Sequence, residues 1–394
     1  MKLIVMTYDL PYPPESGGKT RAYNLLKFLS KSNKITLLSF VREAPNPASI
    51  AELKNICDDV KVVTRSKVWT IGNLTRTALS MDPLAINTYK SREMERLIAE
   101  TLSHQKYDAV LLESFYTSNY ADKFPGLKVI LGTENLEYLV YRRYVDNVGF
   151  APLRPFMYLD VLKMKRFEEI SWSRADIILA VSDRDAFEIK KKSLKPVILV
   201  PNGVDIDFFS NLGVKRAAEK RALFVGNWSY IQNTDAAFFL IEEVWPLIKK
   251  EIPVLKLWLV GRNPLQKLLK LGTKDIVFVT DADDIRDVYA NVDVSLIPIR
   301  AASGTRLKAL ESLASNVPVV STSIGIEGIE VTNGESVLIA DTPKEFAEKV
   351  KLVLEDKTLR EKMTRRAKQL ISQKYSWESI VKNLEKGLEN ESAR

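Results

Sequence analysis

Cysteine and histidine are nearly absent from this 394-residue chain, which holds one of each, Cys57 and His104. One cysteine excludes an internal disulfide framework and any cysteine-based zinc site, and it fits a reducing compartment. One histidine removes most histidine-based metal chemistry and every histidine-dependent mechanism that does not use His104; that residue, in "LSHQKYD", is expected at a helix end. No apolar run approaches the roughly 18–20 residues of a membrane span, and Asp9 breaks "MKLIVMTYDLP" too early for a signal peptide. A soluble or peripheral protein is expected, in the cytoplasm or at the inner face of the membrane.

What is present is cationic and α/β in pattern. Lys and Arg exceed Asp and Glu by 8, and nearly all of the excess lies in residues 1–200, which hold 30 cations against 23 carboxylates. Clusters at Arg142 and Arg143, at Lys163 with Lys165 and Arg166, and at Lys190 to Lys192 suit a solvated surface or an anionic partner such as membrane phosphate. No RNA or DNA module signature accompanies them, so nucleic acid is not an expected partner. At this length two domains are expected.

Short β-branched runs alternate with helical periodicity, which predicts parallel sheets covered by helices on both faces. "KLIVMTY", "KITLLSF", "DVKVVT", "DAVLLES", "LKVILG", "DIILAVS" and "PVILVP" read as strands of a first domain over 1–201. The pattern pauses at Pro201, in "VPNGVDIDFFSNLGVKRAAEKR", where Asn202-Gly203 suits a positive-φ turn. "ALFVGN", "KLWLVGR", "DIVFVTD", "VDVSLIPI", "VPVVST" and "SVLIA" read as strands of a second domain over 202–375, with helices at 234–250, 284–291 and 305–315. Two such halves predict a ligand cleft between them.

Three loops carry candidate chemistry. In "YDLPYPPESGGKTRAYN", Gly17 and Gly18 stand directly before an expected helix, where they either make a tight turn or let backbone amides approach a phosphate. A Walker A loop would need glycine at position 13, where Pro13 stands. In "TDADD" at 280–284, Asp283 and Asp284 are expected to cap the following helix rather than to hold a metal-nucleotide. The richest stretch is "ASGTRLKALESLASNVPVVST" at 302–322, a loop, helix and strand that follow the strand "VDVSLIPI". Its loop belongs at the carboxyl edge of a parallel sheet, where open α/β folds bind ligands. With a helix starting near Thr305, the amides of Gly304, Thr305 and Arg306 suit a phosphate, the Arg306 and Lys308 charges lie beside it, and the Glu311 carboxylate suits ribose hydroxyls. By spacing alone an ordinary helix start with surface charges fits equally well. Asn316 suits the left-handed cap that ends this helix.

As a set, "FVGNWSYIQNTDA" (224–236), "LWLVGRNP" (257–264), "VFVTDADDIRDVYANVDVSLIPIR" (277–300) and "SGTRLKALESLASNVPVVSTSIGIEGI" (303–329) resemble the second domain of the retaining GT-B glycosyltransferases of family four, the group 1 type. "VILVPNGVDIDFF" and "SGGKTRAYNLLKFLS" extend the resemblance over most of the chain. It implies two Rossmann-like, doubly wound domains facing a cleft, with the final helix around Trp377 (376–391) crossing back to the first domain. It implies a nucleoside diphosphate sugar as donor, held mostly by the second domain: Glu311 at the ribose, Gly304 and Thr305 at the diphosphate, Val279 and Thr280 by the base, Gly226 lining the site, and Gly17 and Gly18 closing on the phosphates. A glycan, lipid-linked or similar acceptor sits on the first domain. Transfer retains the anomeric configuration by front-face attack, without metal or cofactor, and Arg306, Lys308 and helix-terminal amides stabilise charge on the leaving phosphate.

Three positions depart from that pattern. Ser303 stands where the first Glu of the EX7E pair belongs, Asn227 follows Gly226 where a cationic pair is usual, and Glu134 in "GTENLEY" replaces the first-domain histidine. Glu134 is then expected to face the reacting sugar or the acceptor, and Arg306 and Lys308 to supply the missing cations. The rival readings are a non-catalytic nucleotide-sugar-binding or partner-binding relative and a GT-B epimerase. A dinucleotide dehydrogenase is disfavoured, since neither half carries G-x-G-x-x-G after its first strand.

Overall fold

The computed structural model describes residues 1–146, 154–210, 212, 219–280, 282–300 and 306–392; Ser303, Gly304 and Thr305 lie outside the described residues. The chain separates into two compact units, Met1–Pro201 with Val381–Arg394, and Asn202–Ile380.

The first unit is built on β1 (Lys2–Thr7), β2 (Lys34–Val41), β3 (Asp59–Thr64), β4 (Ala109–Glu113), β5 (Lys128–Gly132), β6 (Ile177–Ala180) and β7 (Val197–Leu199). They form one parallel sheet in the order β3-β2-β1-β4-β5-β6-β7. Helices cover both faces, so the inner strands are buried throughout: Ile4, Met6, Leu38, Phe40, Val110 and Leu112 expose none of their surface. That is why these strands read as continuous apolar runs rather than alternating ones.

The second unit repeats the plan with β8 (Arg221–Val225), β9 (Lys256–Val260), β10 (Ile276–Val279), β11 (Val294–Ile297), β12 (Val319–Ser321) and β13 (Leu338–Ile339), parallel in the order β10-β9-β8-β11-β12-β13. In each sheet the order reverses beside the unit's first strand, between β1 and β4 and between β8 and β11. Parallel strands joined by right-handed crossovers open a crevice at the carboxyl ends of those two strands.

Several local expectations change. The first helix runs Gly17–Leu29 from an extended Ser16, so Gly17 and Gly18 are its opening residues and do not precede it. Amides of a first turn have no partner inside the helix, which makes glycine less disruptive there than in the middle. Gly203 does not take positive φ; a Cβ there would lie 2.7 Å from Ile380 Cδ1 and 2.8 Å from Trp377 Cδ2, so close packing explains this glycine. The helix expected at 234–250 is Ile231–Phe239, a wide π turn over Leu240–Val244, and Trp245–Glu251. Pro246, which lacks an amide hydrogen, sits at the start of the last piece, and the wider turn accommodates it. The helix expected near Thr305 begins at Leu307, with Arg306 extended at its N-cap.

Other local readings stand. Asn316 has φ 59° after the helix Leu307–Ala314, and His104 closes the helix Arg92–His104. Asp284 caps the helix Ile285–Ala290 by accepting from the Arg286 amide at 2.8 Å. Among the described residues no helix is long and apolar enough to cross a membrane.

Candidate functional site

In the second unit the carboxyl ends of β10, β9, β8 and β11 lie side by side along one edge of the sheet. Gly226 donates its amide to Val260 O at 2.9 Å, and Gly261 donates to Val279 O at 3.0 Å. Gly261 has φ 150°, and a Cβ on it would fall 1.7 Å from Gly226 O. Only glycine lets these two strand ends approach so closely. Val279 ends β10 partly buried, and Thr280 beyond it is exposed.

The helix Leu307–Ala314 starts at this edge and brings Lys308 and Glu311, three residues apart, onto one face. Lys308 Nζ donates to Asn233 Oδ1 at 2.8 Å and lies 4.8 Å from the centre of the Phe224 ring. Asn233 in turn donates its Nδ2 to Asn227 O at 2.8 Å, so the loop after Gly226 is fastened to the helix Ile231–Phe239 and to Lys308 together. On the next turn Glu311 Oε2 accepts from Tyr289 Oη at 3.1 Å. Burial, and then the neighbouring Arg306 charge, push the Lys308 ammonium down to about 7, against the opposing pull of Glu311. Burial raises the Glu311 carboxyl above its ordinary value, opposed by the Tyr289 hydrogen bond and by Lys308. A cation held this way is stabilised by any anion that arrives beside it.

Asn233 and Tyr289 carry no signal of their own in the sequence. Both sit in stretches quoted for the family resemblance, but their partners become visible only once the strand order places four loops together.

The corresponding edge of the first unit is aromatic and acidic. Glu134, just past β5, accepts from Tyr8 Oη at 3.4 Å, while its Oε1 is buried with no hydrogen-bond partner among the described residues. Gly18 faces this pair, and a Cβ there would lie 2.1 Å from Tyr8 Oη and 2.9 Å from Glu134 Oε2. Burial, followed by the nearby Glu113 carboxylate, pushes the Glu134 carboxyl up to about 8, in spite of Arg21. Tyr8 is likewise raised, by burial and then by Glu134. Alongside, Tyr116 donates to Glu137 Oε2 at 3.1 Å, and burial raises that carboxyl to about 7. Behind them Arg21 Nε reaches Glu113 Oε1 at 2.8 Å, each side chain 1% exposed, and Arg21 also donates to Val200 O at 2.9 Å. This internal pair, which spacing alone does not reveal, ties the first helix to β4 and to the end of β7.

Residues 219–356 match the family model described as "Glycosyl transferases group 1". The match covers most of the second unit. Over a longer span, 89% of the chain is 26% identical to 90% of a Klebsiella pneumoniae protein described as an uncharacterized 44.6 kDa protein in the cps region. Among solved structures, the sucrose-phosphate synthase of Thermosynechococcus elongatus matches with a TM-score of 0.70 at 14% identity, covering 100% of both chains. Anabaena HepE, solved in complex with UDP-glucose, matches with a TM-score of 0.66 at 15% identity, also covering 100% of both chains. These likenesses show the fold: two Rossmann-like parallel-sheet units of the GT-B glycosyltransferase type. In the second unit residues 301–305, with Ser303, Gly304 and Thr305, lie outside the described residues, whereas Gly226, Val279, Thr280, Arg306, Lys308 and Glu311 come from neighbouring strand ends and the helix they precede.

Proposed function

We propose that the protein is a retaining, metal-independent glycosyltransferase that moves a sugar from a nucleoside diphosphate sugar to a glycan, lipid-linked or similar acceptor. The observation that carries this reading is the helix face after β11, where Lys308 and Glu311 stand one turn apart beside the loop of Gly226. The diphosphate lies at Lys308, Arg306 and the loop that includes Gly304 and Thr305. The ribose hydroxyls donate to Glu311, whose other oxygen keeps Tyr289. As the bond to the anomeric carbon breaks, negative charge grows on the leaving phosphate, and a poorly hydrated cation there stabilises the transition state more than the ground state. In this reading these cations compensate the charge in place of a metal. The UDP-glucose bound by HepE makes that compound the first donor to try.

In the first unit, Glu134 offers a buried acceptor oxygen to a hydroxyl of the reacting sugar or acceptor. The test is release of nucleoside diphosphate from a panel of nucleotide sugars, with and without candidate acceptors, followed by the anomeric configuration of the product by NMR. Acceptor-dependent release with retention supports the reading. Binding without turnover on every acceptor contradicts it and favours the non-catalytic relative.

A further inference from the structure

The carboxyl ends of β1, β2 and β3 are neighbours in the first sheet, and a charged residue follows each. Asp9 lies two residues past β1, Arg42 directly past β2 and Arg65 directly past β3. Tyr89, which ends the helix Leu84–Tyr89, sits among them: its ring centre is 5.5 Å from the Arg65 guanidinium carbon, and Asp9 and Arg42 are the next charges that act on its phenol. Tyr89 is 8% exposed, yet its hydroxyl makes no hydrogen bond among the described residues. Burial pushes that phenol up to about 12 against the pull of Arg65, so it remains a neutral donor. Phe40 holds the ring edge-on, with centres 5.3 Å apart.

The half-buried Arg65 forms no ion pair among the described residues; its Nη1 donates to Ser66 O at 3.0 Å, and a guanidinium has five N–H donors. Asp9 stands 3.6 Å from Arg42 and 3.7 Å from Lys19, in both cases beyond ordinary hydrogen-bond range. The other carboxyls of this edge are Glu15 and Glu43, both exposed, Glu113, paired with Arg21, and Glu134 and Glu137, whose charge burial suppresses. Arg65 and the Tyr89 hydroxyl are thus adjacent donors without an anionic partner. Tyr89 also touches Tyr8 and Tyr116, with ring centres 6.4 and 5.3 Å away, and these two tyrosines donate to Glu134 and Glu137. A sugar laid on the three rings meets the unpartnered Glu134 oxygen at one end and Arg65 with the Tyr89 hydroxyl at the other. We propose that Arg65, Arg42 and the Tyr89 hydroxyl bind an anionic group of the acceptor, a phosphate or a carboxylate on the sugar whose hydroxyl reaches Glu134. The proposal rests on the sugar-transfer reading, with the acceptor on the first unit, and it names an acidic saccharide as the acceptor class. A neutral glycan leaves these donors unused.

The experiment is titration calorimetry of the full chain with glucose, glucose 1-phosphate and glucuronic acid, at low and high salt. The proposal predicts that at least one of the two acidic sugars binds about tenfold more tightly than glucose, and that salt narrows the gap. Which of the two is preferred tells whether the acceptor carries a phosphate or a carboxylate. Arg65→Gln lowers the affinity for the preferred acidic sugar about tenfold and Tyr89→Phe about fivefold, while the affinity for glucose stays unchanged. Arg42→Gln changes a side chain 70% exposed, so the fold is not at issue, and lowers the same affinity about threefold. Equal affinity for the three sugars, binding of none, or a preference that Arg65→Gln and Arg42→Gln both retain overturns the proposal. Release of nucleoside diphosphate from nucleotide sugars, measured with each sugar as acceptor, keeps the two readings apart. A preference with the expected losses in the variants but no turnover supports the anion site and contradicts transfer; turnover at equal rates with all three sugars overturns the anion site.

Discussion

Replacing Lys308 by methionine keeps an unbranched side chain only one atom shorter and removes its charge. In the wild type the ammonium is pushed down to about 7 by burial and by Arg306. A bound diphosphate favours the charged form and raises that value, so binding takes up a proton wherever the free protein has lost one. Below pH 7 the lysine is already charged and affinity is insensitive to pH. Affinity therefore falls by up to about tenfold for each pH unit above 7, until the value in the complex is reached. Lys308→Met removes a charge-assisted contact of about 1.5–3 kcal/mol, or about ten- to 150-fold in affinity near pH 6, and flattens the pH profile. Titration calorimetry with a nucleotide sugar, whose diphosphate does not itself titrate in this range, reads both effects. Wild-type affinity that stays flat over this window, or a Lys308→Met profile parallel to it, refutes the reasoning.

Three further outcomes concern the first unit. Gly18→Ala places a methyl group 2.1 Å from Tyr8 Oη; a loss of about 1–3 kcal/mol in denaturant unfolding is expected, partly restored in Gly18→Ala, Tyr8→Phe, and no recovery would mean that the hydroxyl is not the obstacle. Arg21→Leu leaves Glu113 buried without its cation, at a cost of about 3–5 kcal/mol, checked by thermal unfolding against Arg21→Leu, Glu113→Leu, which is expected to lose less. Glu134 holds its proton up to about 8 when folded and releases it near the ordinary carboxylate range when unfolded, so its contribution to stability falls as pH rises through that window. Glu134→Gln therefore gains thermal midpoint relative to wild type between about pH 5 and pH 8, and a constant difference contradicts the assignment.

The strands were the most legible part of the chain, because each is a short apolar run interrupted by turn residues and a parallel sheet buries it on both faces. Helix ends were read less well, and for local reasons. Gly17 and Gly18 resemble a break, yet an extended Ser16 in front of them lets the helix begin two residues earlier than expected. Gly203 resembles a turn residue but answers to Trp377, more than 170 positions away, and no local pattern encodes that contact. Within the candidate donor site, the charged residues could be named from motif position. Their partners could not: Asn233 and Tyr289 meet Lys308 and Glu311 only through the order β10-β9-β8-β11. Arg21 and Glu113 were invisible for the same reason, being 92 residues apart in the chain and joined by the sheet.

The central claim is that the face of Lys308 and Glu311 holds a nucleoside diphosphate sugar, and ligand-dependent thermal stability tests it most directly. At 100 times its dissociation constant a ligand adds about 2.7 kcal/mol, enough to raise the midpoint by several degrees. The account predicts such a rise with at least one nucleotide sugar, and a tenfold or greater loss of affinity in a folded Glu311→Ala variant. No rise with any nucleotide or nucleotide sugar, or a Glu311→Ala variant that binds as the wild type does, contradicts it.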